Sequence, residues 1–464
     1  MMLFKLATRN FLRNRRRSVM TTLAVAVGAM TMLLFGAFQA FVFRGLETDA
    51  VRRTGHLTIF KRGYFLFGAG NPSAYSIERY EDVISMIRQD PELKPFLRLV
   101  TPTLSLAGIA GNFDGEISAS KTFFGVGKIP SDRDRMRQWD EHGVSRNDSP
   151  DTLLSDTDET RGYVGLGLAR VLGLCEALKI ADCPPARRQN AAGPVAAPGV
   201  LDQLPAIDPV DAAPGSATPH LELLAATSGG APNVVRVQLS GVEPQAAKEL
   251  DDNFVGVHLK LAQQLVFGRG EHKVTGIIVQ LHRTEDLARV RDHLAQLFAA
   301  RKLDLEIRDF GELNPFYVQV RRFFGSIFLF IALIMGVITL FTIVNTMTMA
   351  VMERTSEIGT TRALGARRGS IRLQFMTEGL LLGAVGATLG LAAAVVETAA
   401  INAAHLNWTP PGNAAATPFG LALWGHPWLL VGGWLVIVAV ATFAALIPAN
   451  RAARLQVVDA LRHA

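Results

Sequence analysis

Residues 323–351 read FFGSIFLFIALIMGVITLFTIVNTMTMAV, a run without a charged side chain. The hydrocarbon core of a bilayer is about 30 Å thick, and roughly 20 apolar helical residues cross it. This stretch therefore predicts a membrane-spanning helix. Three further runs meet the same requirement without a lysine or arginine in their interior: 19–43, 375–401 and 429–446. The sequence thus predicts a polytopic α-helical membrane protein with four transmembrane helices, one before a long polar interval and three after it.

The basic residues between these runs predict how the helices are oriented. Lysine and arginine accumulate in the N-terminal segment 1–18, the link 352–374 and the tail 447–464, whereas the link 402–428 contains none. Because cytoplasmic segments carry an excess of lysine and arginine, both termini are predicted to be cytoplasmic and residues 44–322 to be outside. Segment 1–18 mixes leucine and phenylalanine with arginine, which is typical of an amphipathic helix lying on the inner surface.

The first apolar run has an alternative interpretation as a cleaved signal peptide, because a basic segment precedes it. Its length of about 25 residues exceeds that of a signal-peptide core, and no clear cleavage site follows. We therefore expect it to remain as the first span.

Composition supports a membrane part joined to a sizeable soluble part. Hydrophobic residues make up 49% of the chain, yet 19% is charged, which is too polar for spanning helices alone. The net charge of +6 comes from basic residues that flank the apolar runs. Topology explains those residues better than nucleic-acid binding does, so no nucleic-acid partner is expected.

The interval 44–322 has the pattern of a mixed α/β domain. Alternating apolar residues predict strands, and apolar residues at helical spacing predict helices. The predicted strands are 56–60, 97–109, 116–126, 233–242, 254–259, 274–281 and 303–308, and the predicted helices are 80–89 and 285–298. Residues 184–232 are rich in alanine and proline and predict a flexible insertion, with a partner-binding arm as the alternative.

Motifs for catalysis, nucleotide binding and metal binding are absent from the sequence. No GxxxxGK[ST] loop occurs, and residues 125–128 (GVGK) have the wrong spacing for one. Two cysteines, Cys175 and Cys183, form a disulfide in an oxidising compartment or stay as free thiols, and no further ligand of suitable spacing accompanies them. The chain is therefore not expected to be an enzyme or to hold a metal or other cofactor itself.

Residues 353–366, ERTSEIGTTRALGA, resemble the cytoplasmic coupling segment of the FtsX/MacB/LolC family of ABC transporter permeases. Two other stretches are similar to that family: residues 9–18 (RNFLRNRRRS) before the first span, and the tail from 447–449 (IPA) to 457–462 (VVDALR). The order of one span, a large outer domain and three spans is also that family's architecture. The resemblance implies a bacterial inner-membrane protein whose α/β domain is periplasmic and of the MacB type.

The resemblance also implies partners. A cytosolic ABC ATPase dimer would bind ATP and magnesium and hydrolyse the nucleotide. A short amphipathic helix in the link would present charges to it, although a solvated face near lipid headgroups is the alternative. The residues that match the coupling segment are Glu353, Arg354, Glu357, Ile358, Gly359, Arg362, Leu364 and Gly365.

Four spans are too few to enclose a path, so a second permease, identical or related, is expected. Small residues at helical spacing permit close helix approach: Ala24 and Gly28 in the first span, and Gly386 and Gly390 in the third. Glu397, near the outer end of the third span, gives little support to an ion-coupled transporter.

Two stretches resemble the lipoprotein-releasing branch of the family: 54–59 (TGHLTI) with 63–64 (GY), and 312–317 (ELNPFY). They imply extraction of lipoproteins or lipids, with membrane lipid and a periplasmic carrier or adaptor as partners. The residues Pro315, Phe316 and Tyr317 are expected to form a junction that transmits force to the outer domain. The alternatives are a tripartite efflux motor, a permease that activates a cell-wall hydrolase, and a ligand-sensing receptor, which would have no need of a coupling segment.

Overall fold

A computed structural model describes the chain in segments. The described residues are 15–68, 74–113, 119–143, 153–180, 219–227, 229–245, 248–268, 270, 272–408, 417–424 and 427–456. They divide into two compact units: a helix unit within 1–46, 316–408 and 418–464, and an α/β unit within 47–315 and 409–417. The predicted N-terminal amphipathic helix lies almost entirely outside the described residues.

The helices and strands are numbered in chain order. The helices are α1 (Arg15–Thr54), α2 (Tyr80–Gln89), α3 (Pro130–Arg137), α4 (Leu166–Val171), α5 (Lys248–Asp251), α6 (Leu259–Phe267), α7 (Leu287–Ala300), α8 (Phe310–Leu313), α9 (Pro315–Glu353), α10 (Thr355–Ala363), α11 (Arg368–Ala403) and α12 (Pro427–Arg454). The strands are β1 (Leu57–Lys61), β2 (Leu97–Asn112), β3 (Ala119–Lys128), β4 (Arg161–Val164), β5 (His220–Ala226), β6 (Pro232–Val242), β7 (Phe254–His258), β8 (Gly276–Leu281), β9 (Leu305–Asp309), β10 (Asn407–Trp408) and β11 (Thr417–Pro418). A π-helical turn covers Tyr64–Gly68.

Four helices of the described part are long and apolar enough to cross a membrane: α1, α9, α11 and α12. This confirms the prediction of four apolar helices beside a large α/β region. Each helix is longer than its predicted span, with lengths of 40, 39, 36 and 28 residues. The apolar run fixes only the part that fits the hydrocarbon core, and the helical backbone continues into charged flanks such as Arg15–Arg17.

Glycines of α11 bring neighbouring helices into close contact inside the helix unit. A Cβ atom at Gly390 would lie 2.4 Å from the carbonyl oxygen of Ala26, and one at Gly386 would lie 2.7 Å from Val25. On another side of α11, a Cβ atom at Gly379 would lie 2.4 Å from the Ala445 side chain. Gly386 and Gly390, two of the four small residues predicted to allow close helix approach, therefore do so within one chain, between α1 and α11. A second permease subunit stays a prediction.

The α/β unit is built on a nine-stranded sheet in the order β3-β7-β4-β6-β5-β2-β8-β1-β9. The long strand β2 pairs with β3 as well as with β5 and β8, which closes six strands into a ring. The pairs β3–β7 and β4–β6 are parallel, and the other pairs are antiparallel. Helices α2, α6 and α7 bury apolar side chains against the sheet.

Strand β5 contradicts the C-terminal part of the predicted flexible insertion at 184–232, because residues 220–226 form a regular strand. Leu221 and Leu223 are fully buried in the core, and β5 pairs with β6 along its whole length. The alternation of apolar and polar residues at 220–224 outweighs the alanine- and proline-rich composition around it. Residues 181–218 lie outside the described residues, so flexibility there stays a prediction.

The first strand of the α/β unit begins at a buried histidine. Gly55 precedes it with a φ of +70°, in the left-handed region that favours glycine. His56 Nδ1 accepts a hydrogen bond of 3.0 Å from the Leu281 N–H, and its ring meets Trp139 edge-on at 4.9 Å. Burial lowers the pKa of His56 to about 3, so the ring is neutral at physiological pH. His56 thus ties β1 to β8.

Candidate functional site

The predicted coupling segment folds as a separate short helix between two long ones. Helix α9 ends at Glu353, α10 covers Thr355–Ala363, and α11 begins at Arg368. Arg354 leaves helical geometry with φ −110° and ψ 18°, which separates α10 from α9. At the other end, Gly365 has a φ of +97° and donates a backbone hydrogen bond of 3.0 Å to the Arg362 carbonyl. A glycine in this conformation ends a helix without steric strain.

Helix α10 has one face buried in the helix unit and one face exposed. Ile358 is only 5% exposed and belongs to the buried core of that unit, and Gly359 beside it is also buried. Glu357, Thr361 and Leu364 are exposed, and their spacing of four and three residues puts them on one side of a helix. Leu364 is 85% exposed, which is high for a leucine. We call Glu357, Thr361 and Leu364 the outer face of α10.

Two arginines attach α10 to the rest of the helix unit: Arg354, just before its first residue, and Arg362, in its last turn. Arg354 Nη1 lies 3.1 Å from Glu378 Oε1 of α11, and both side chains are almost fully buried. Arg362 Nη1 donates to the carbonyl oxygens of Leu455 and, at 3.4 Å, of Ala453. The last carbonyls of a helix have no intrahelical partner, so Arg362 satisfies the C-terminal end of α12.

Glu353 is held by the beginning of α1. Its Oε2 accepts a hydrogen bond of 2.9 Å from Arg17 Nη1, and a hydroxyl pair, Thr21 with Thr346, lies 2.9 Å apart on the same two helices. Ile358 and Gly359 are buried, and the other six of the eight predicted coupling residues fall into two groups. Glu353, Arg354 and Arg362 hold helices together, whereas Glu357, Leu364 and Gly365 are exposed. Their role towards an ATPase stays a prediction.

Sequence patterns did not single out Arg17 and Glu378. A signal for Glu378 was present, since a carboxylate within a predicted span needs a partner when it is buried. The partner, Arg354, lies outside the third predicted span, in the link before it. Whether the two side chains meet depends on where α9 ends and α11 begins, and the apolar pattern does not give those boundaries.

The predicted force-transmission junction lies where α9 begins. Pro315 is the first residue of α9, a position that proline favours because its missing N–H would have no partner there. Phe316 is exposed and Tyr317 is buried. Just before them, Asn314 Nδ2 donates a hydrogen bond of 2.7 Å to the Phe310 carbonyl. The junction role stays a prediction.

The predicted disulfide and a possible metal cluster involve other parts of the α/β unit. Cys183 lies outside the described residues, so its bond to Cys175 stays a prediction.

Glu47, Glu141 and His142 place one ligand atom each within 4.8 Å of one another. The Glu141 carboxylate accepts a hydrogen bond of 2.8 Å from the Thr284 N–H, and His142 Nε2 lies 3.6 Å from Glu47 Oε1. These pairings account for the three side chains without a metal ion.

A family model and several known proteins match parts of this chain. Residues 328–457 match the family described as "FtsX-like permease C-terminal". The chain is 32% identical over 136 residues to "Macrolide export ATP-binding/permease protein MacB" of Escherichia coli. It is 35% identical over 119 residues to "Pyoverdine export ATP-binding/permease protein PvdT" of Pseudomonas putida. It is 32% identical over 121 residues to "Uncharacterized ABC transporter permease YknZ" of Bacillus subtilis.

These similarities are partial on both sides. The matched regions cover 29%, 26% and 26% of this chain, and 21%, 16% and 27% of the three relatives in the same order. The chain thus spans about a fifth of the length of the Escherichia coli relative and a sixth of that from Pseudomonas putida. The match from 328 to 457 includes α10 with its outer face and most of α9, α11 and α12.

Proposed function

Because the chain belongs to the FtsX/MacB family of ABC transporter permeases, we propose that it couples ATP hydrolysis by an ABC ATPase to movements of its α/β unit. The outer face of α10 is the observation that carries this proposal. It offers an exposed leucine beside a carboxylate, on a helix whose opposite face is fixed in the helix unit. A short, firmly held helix of this kind suits a groove on another protein.

The chemistry of the outer face favours a protein partner over lipid headgroups. The cytoplasmic leaflet of a bacterial membrane is anionic and attracts basic side chains. Glu357 gains nothing from such a surface, whereas a groove with basic and apolar walls binds both Glu357 and Leu364. The sequence has no nucleotide-binding loop, which supports an ATPase domain outside these 464 residues.

A movement of α10 can pass directly along the polypeptide chain into α9. Arg354 is the one residue between α10 and α9, and its ion pair with Glu378 joins the same point to α11. Helix α9 then runs for 39 residues to Pro315 without a break. A helix transmits axial displacement because its backbone hydrogen bonds resist stretching. We therefore assign α9 the role of passing force to the chain at Pro315, Phe316 and Tyr317.

This function requires a particular placement in the cell. We propose a bacterial inner-membrane protein with both termini in the cytoplasm and the α/β unit in the periplasm, supported by the distribution of lysine and arginine. A second permease, identical or related, completes the assembly, and the ATPase dimer binds ATP and magnesium. The α/β unit would have the MacB periplasmic type of fold.

The cargo has two candidate classes. Extraction of lipoproteins or lipids is supported by residues 54–59 and 312–317, which resemble the lipoprotein-releasing branch. Export of a small molecule through a tripartite assembly is favoured by the relatives from Escherichia coli and Pseudomonas putida, which are described as macrolide and pyoverdine exporters. We favour the first because those residues lie at the two ends where the α/β unit joins α1 and α9.

Purification of the full chain with its native lipids, followed by mass spectrometry, distinguishes the cargo classes. We expect an ABC ATPase to co-elute, together with acylated protein or a periplasmic lipoprotein carrier. Co-elution of an adaptor without acylated protein would support the small-molecule exporter instead, and a cell-wall hydrolase would support a signalling permease. Absence of any ATPase from the purified complex would contradict the coupling function itself.

A flexible linker in α9 should separate ATP hydrolysis from work outside the membrane. Inserting Gly-Ser repeats after Gln319 leaves the outer face of α10 intact but interrupts the helix near its beginning. We expect ATP hydrolysis to continue, while cargo release falls to near the background level in a reconstituted assay. An insertion of equal length in the link before β11, around residue 413, is the control and should leave release unchanged. Full release with the α9 linker would mean that force takes another route.

A further inference from the structure

The α/β unit contains a cavity of about 570 Å³ that the proposed coupling function does not use. Cavities that hold small organic molecules have volumes of this size. It is lined by the last turns of α1, by strands β1, β2 and β3, by α3, and by Leu313 and Asn314 just before α9. It therefore lies inside one unit, at the place where the chain enters and leaves that unit.

Positive charge predominates on the polar side of the cavity. Five cationic side chains line it but only two carboxylates do: Arg52, Arg53, Lys128, Arg133 and Arg137, with Asp49 and Glu243. Two of these arginines also pair with carboxylates just outside the lining, Arg133 with Asp134 at 2.8 Å and Arg52 with Asp140 at 3.8 Å, so that among the described residues only Lys128 of the five cations has no ion pair. The arrangement therefore favours an anion.

The arginines have partners in the cavity wall. Arg133 is 3% exposed and donates to Glu243 at 2.8 Å and to the Tyr163 hydroxyl at 3.3 Å. Arg137 Nη1 lies 3.1 Å from the second oxygen of Glu243. Arg53 Nε donates to Asp49 at 2.9 Å. These carboxylates are thus already engaged by arginines.

Lys128 is different, because no carboxylate engages it among the residues that the structure describes. Its one hydrogen bond, 2.6 Å long, goes to the backbone carbonyl of Arg53. An ammonium group has three donors, so two remain for a ligand or water in the cavity. The pKa of Lys128 is lowered to about 7, chiefly by burial; Glu243 opposes this shift, and the nearby charges of Arg133, Arg53 and Arg137 add to it.

The cavity wall also contains apolar and aromatic side chains. Phe60 stacks on Tyr64 with ring centroids 4.9 Å apart, and Phe65 meets Phe60 edge-on at 5.0 Å. Phe254 and Ile278 also line the space. Aromatic walls bind apolar groups by burying surface from water. A ligand that fills the cavity therefore needs an apolar part as well as an anionic group.

We propose that this cavity binds an amphipathic anion, with its carboxylate, phosphate or sulfate group on Lys128 and its apolar part against Phe60, Tyr64 and Phe65. The site is formed within the α/β unit and does not depend on which ATPase or cargo the chain serves. Binding there would hold α1, the sheet and the residues before α9 together, since all three contribute to the wall.

Calorimetric titration of the full chain in lipid nanodiscs, with empty nanodiscs as the blank, tests the site. Hexyl sulfate is the probe because its charge does not titrate, inorganic sulfate lacks the apolar part, and hexyltrimethylammonium reverses the charge. We expect saturable binding of one hexyl sulfate per chain, weaker binding of sulfate, and none of the cation. Equal affinities for hexyl sulfate and inorganic sulfate would overturn the apolar half of the site, and no saturable binding would overturn the proposal.

Lys128→Met is the decisive variant, because it removes the ammonium and keeps an unbranched side chain that folds without a buried charge. Affinity for hexyl sulfate should fall about tenfold or more, as expected for loss of a charge-assisted hydrogen bond. Lys121→Met, on the same strand β3 but outside the cavity, should leave affinity unchanged. Unaltered binding by the Lys128→Met variant would contradict the assignment.

The pH dependence gives a second readout that a structural role of Lys128 would not produce. The ammonium is charged below the pKa of about 7 and neutral well above it. Affinity of the original chain should therefore be higher at pH 6 than at pH 8.5, and affinity of the Lys128→Met variant should be equal at both. Equal affinities of the original chain at the two pH values would contradict a Lys128 contact to the anion.

Discussion

Replacing Arg354 by methionine is expected to lower the thermal unfolding temperature of the helix unit by roughly 6–20 °C, and Glu378→Met should do the same. Each change breaks the ion pair of 3.1 Å between these two largely buried side chains. Removing one member of a buried ion pair typically costs about 3–5 kcal/mol, because the remaining charge keeps its desolvation cost. For a unit of this size, 1 kcal/mol corresponds to about 2–4 °C. Both single variants should also stimulate a partner ATPase poorly, since α10 is no longer fixed to α11.

The double variant Arg354→Met/Glu378→Met makes this test specific. Two methionines replace the pair without leaving a charge, so the unfolding temperature should return close to the original value. The matched control is Arg372→Met, which removes an exposed arginine from α11 and should change the unfolding temperature by less than about 2 °C. If the single variants unfold at the original temperature, the ion pair does not hold α10 in place.

Regular periodicity explains which elements of the α/β unit were predictable. Helix α2 begins and ends at the predicted residues, Tyr80 and Gln89, because Tyr80, Ile84 and Ile87 repeat at helical spacing and are all buried. Strand β7 was equally clear. Strand β5 was not, because its seven residues follow a long alanine- and proline-rich stretch that dominates any average over composition.

The candidate site shows a different limit of sequence reasoning. The motif at 353–366 located the coupling segment, in which Glu353 and Glu357 are four residues apart, a spacing that puts two side chains on one face of a continuous helix. The structure separates them, because the backbone at Arg354 breaks the helix between them. Glu353 belongs to the end of α9 and binds Arg17, while Glu357 belongs to the outer face of α10. One non-helical residue therefore places the two carboxylates on different helices.

The charged cavity was beyond sequence reasoning for a related reason. Lys128 ends β3, and Glu243 follows β6, two strands that are not neighbours in the sheet order. Lys128 ends the GVGK stretch, whose spacing is wrong for a nucleotide-binding loop, and Glu243 stands in no recognisable motif, so each alone has the ordinary appearance of a surface charge. Both strands belong to the six-stranded ring, and Lys128 and Glu243 meet at one cavity only once that ring has formed.

Leu364→Glu is expected to weaken association with the partner ATPase by about 100-fold while leaving the permease folded. The Leu364 side chain is 85% exposed, so the change costs the isolated permease little. In a complex, burial of a leucine contributes about 1.5–3 kcal/mol, which a glutamate forfeits. The new carboxylate also loses hydration on binding without a partner. Co-purification and stimulated ATP hydrolysis should both fall, and the unfolding temperature should stay constant.

Glu357→Lys tests the same face by charge and should give a smaller loss, because a charged group at the rim of an interface keeps part of its hydration. It is a cleaner change than reversal of Glu353, which would break the pair with Arg17 inside the helix unit. The matched control is Leu406→Glu, which adds a carboxylate at another exposed leucine, beyond the opposite end of α11. That variant should bind and stimulate the ATPase normally. If Leu364→Glu behaves like Leu406→Glu in both assays, the outer face of α10 does not contact the ATPase, and the coupling role must be assigned elsewhere in the helix unit.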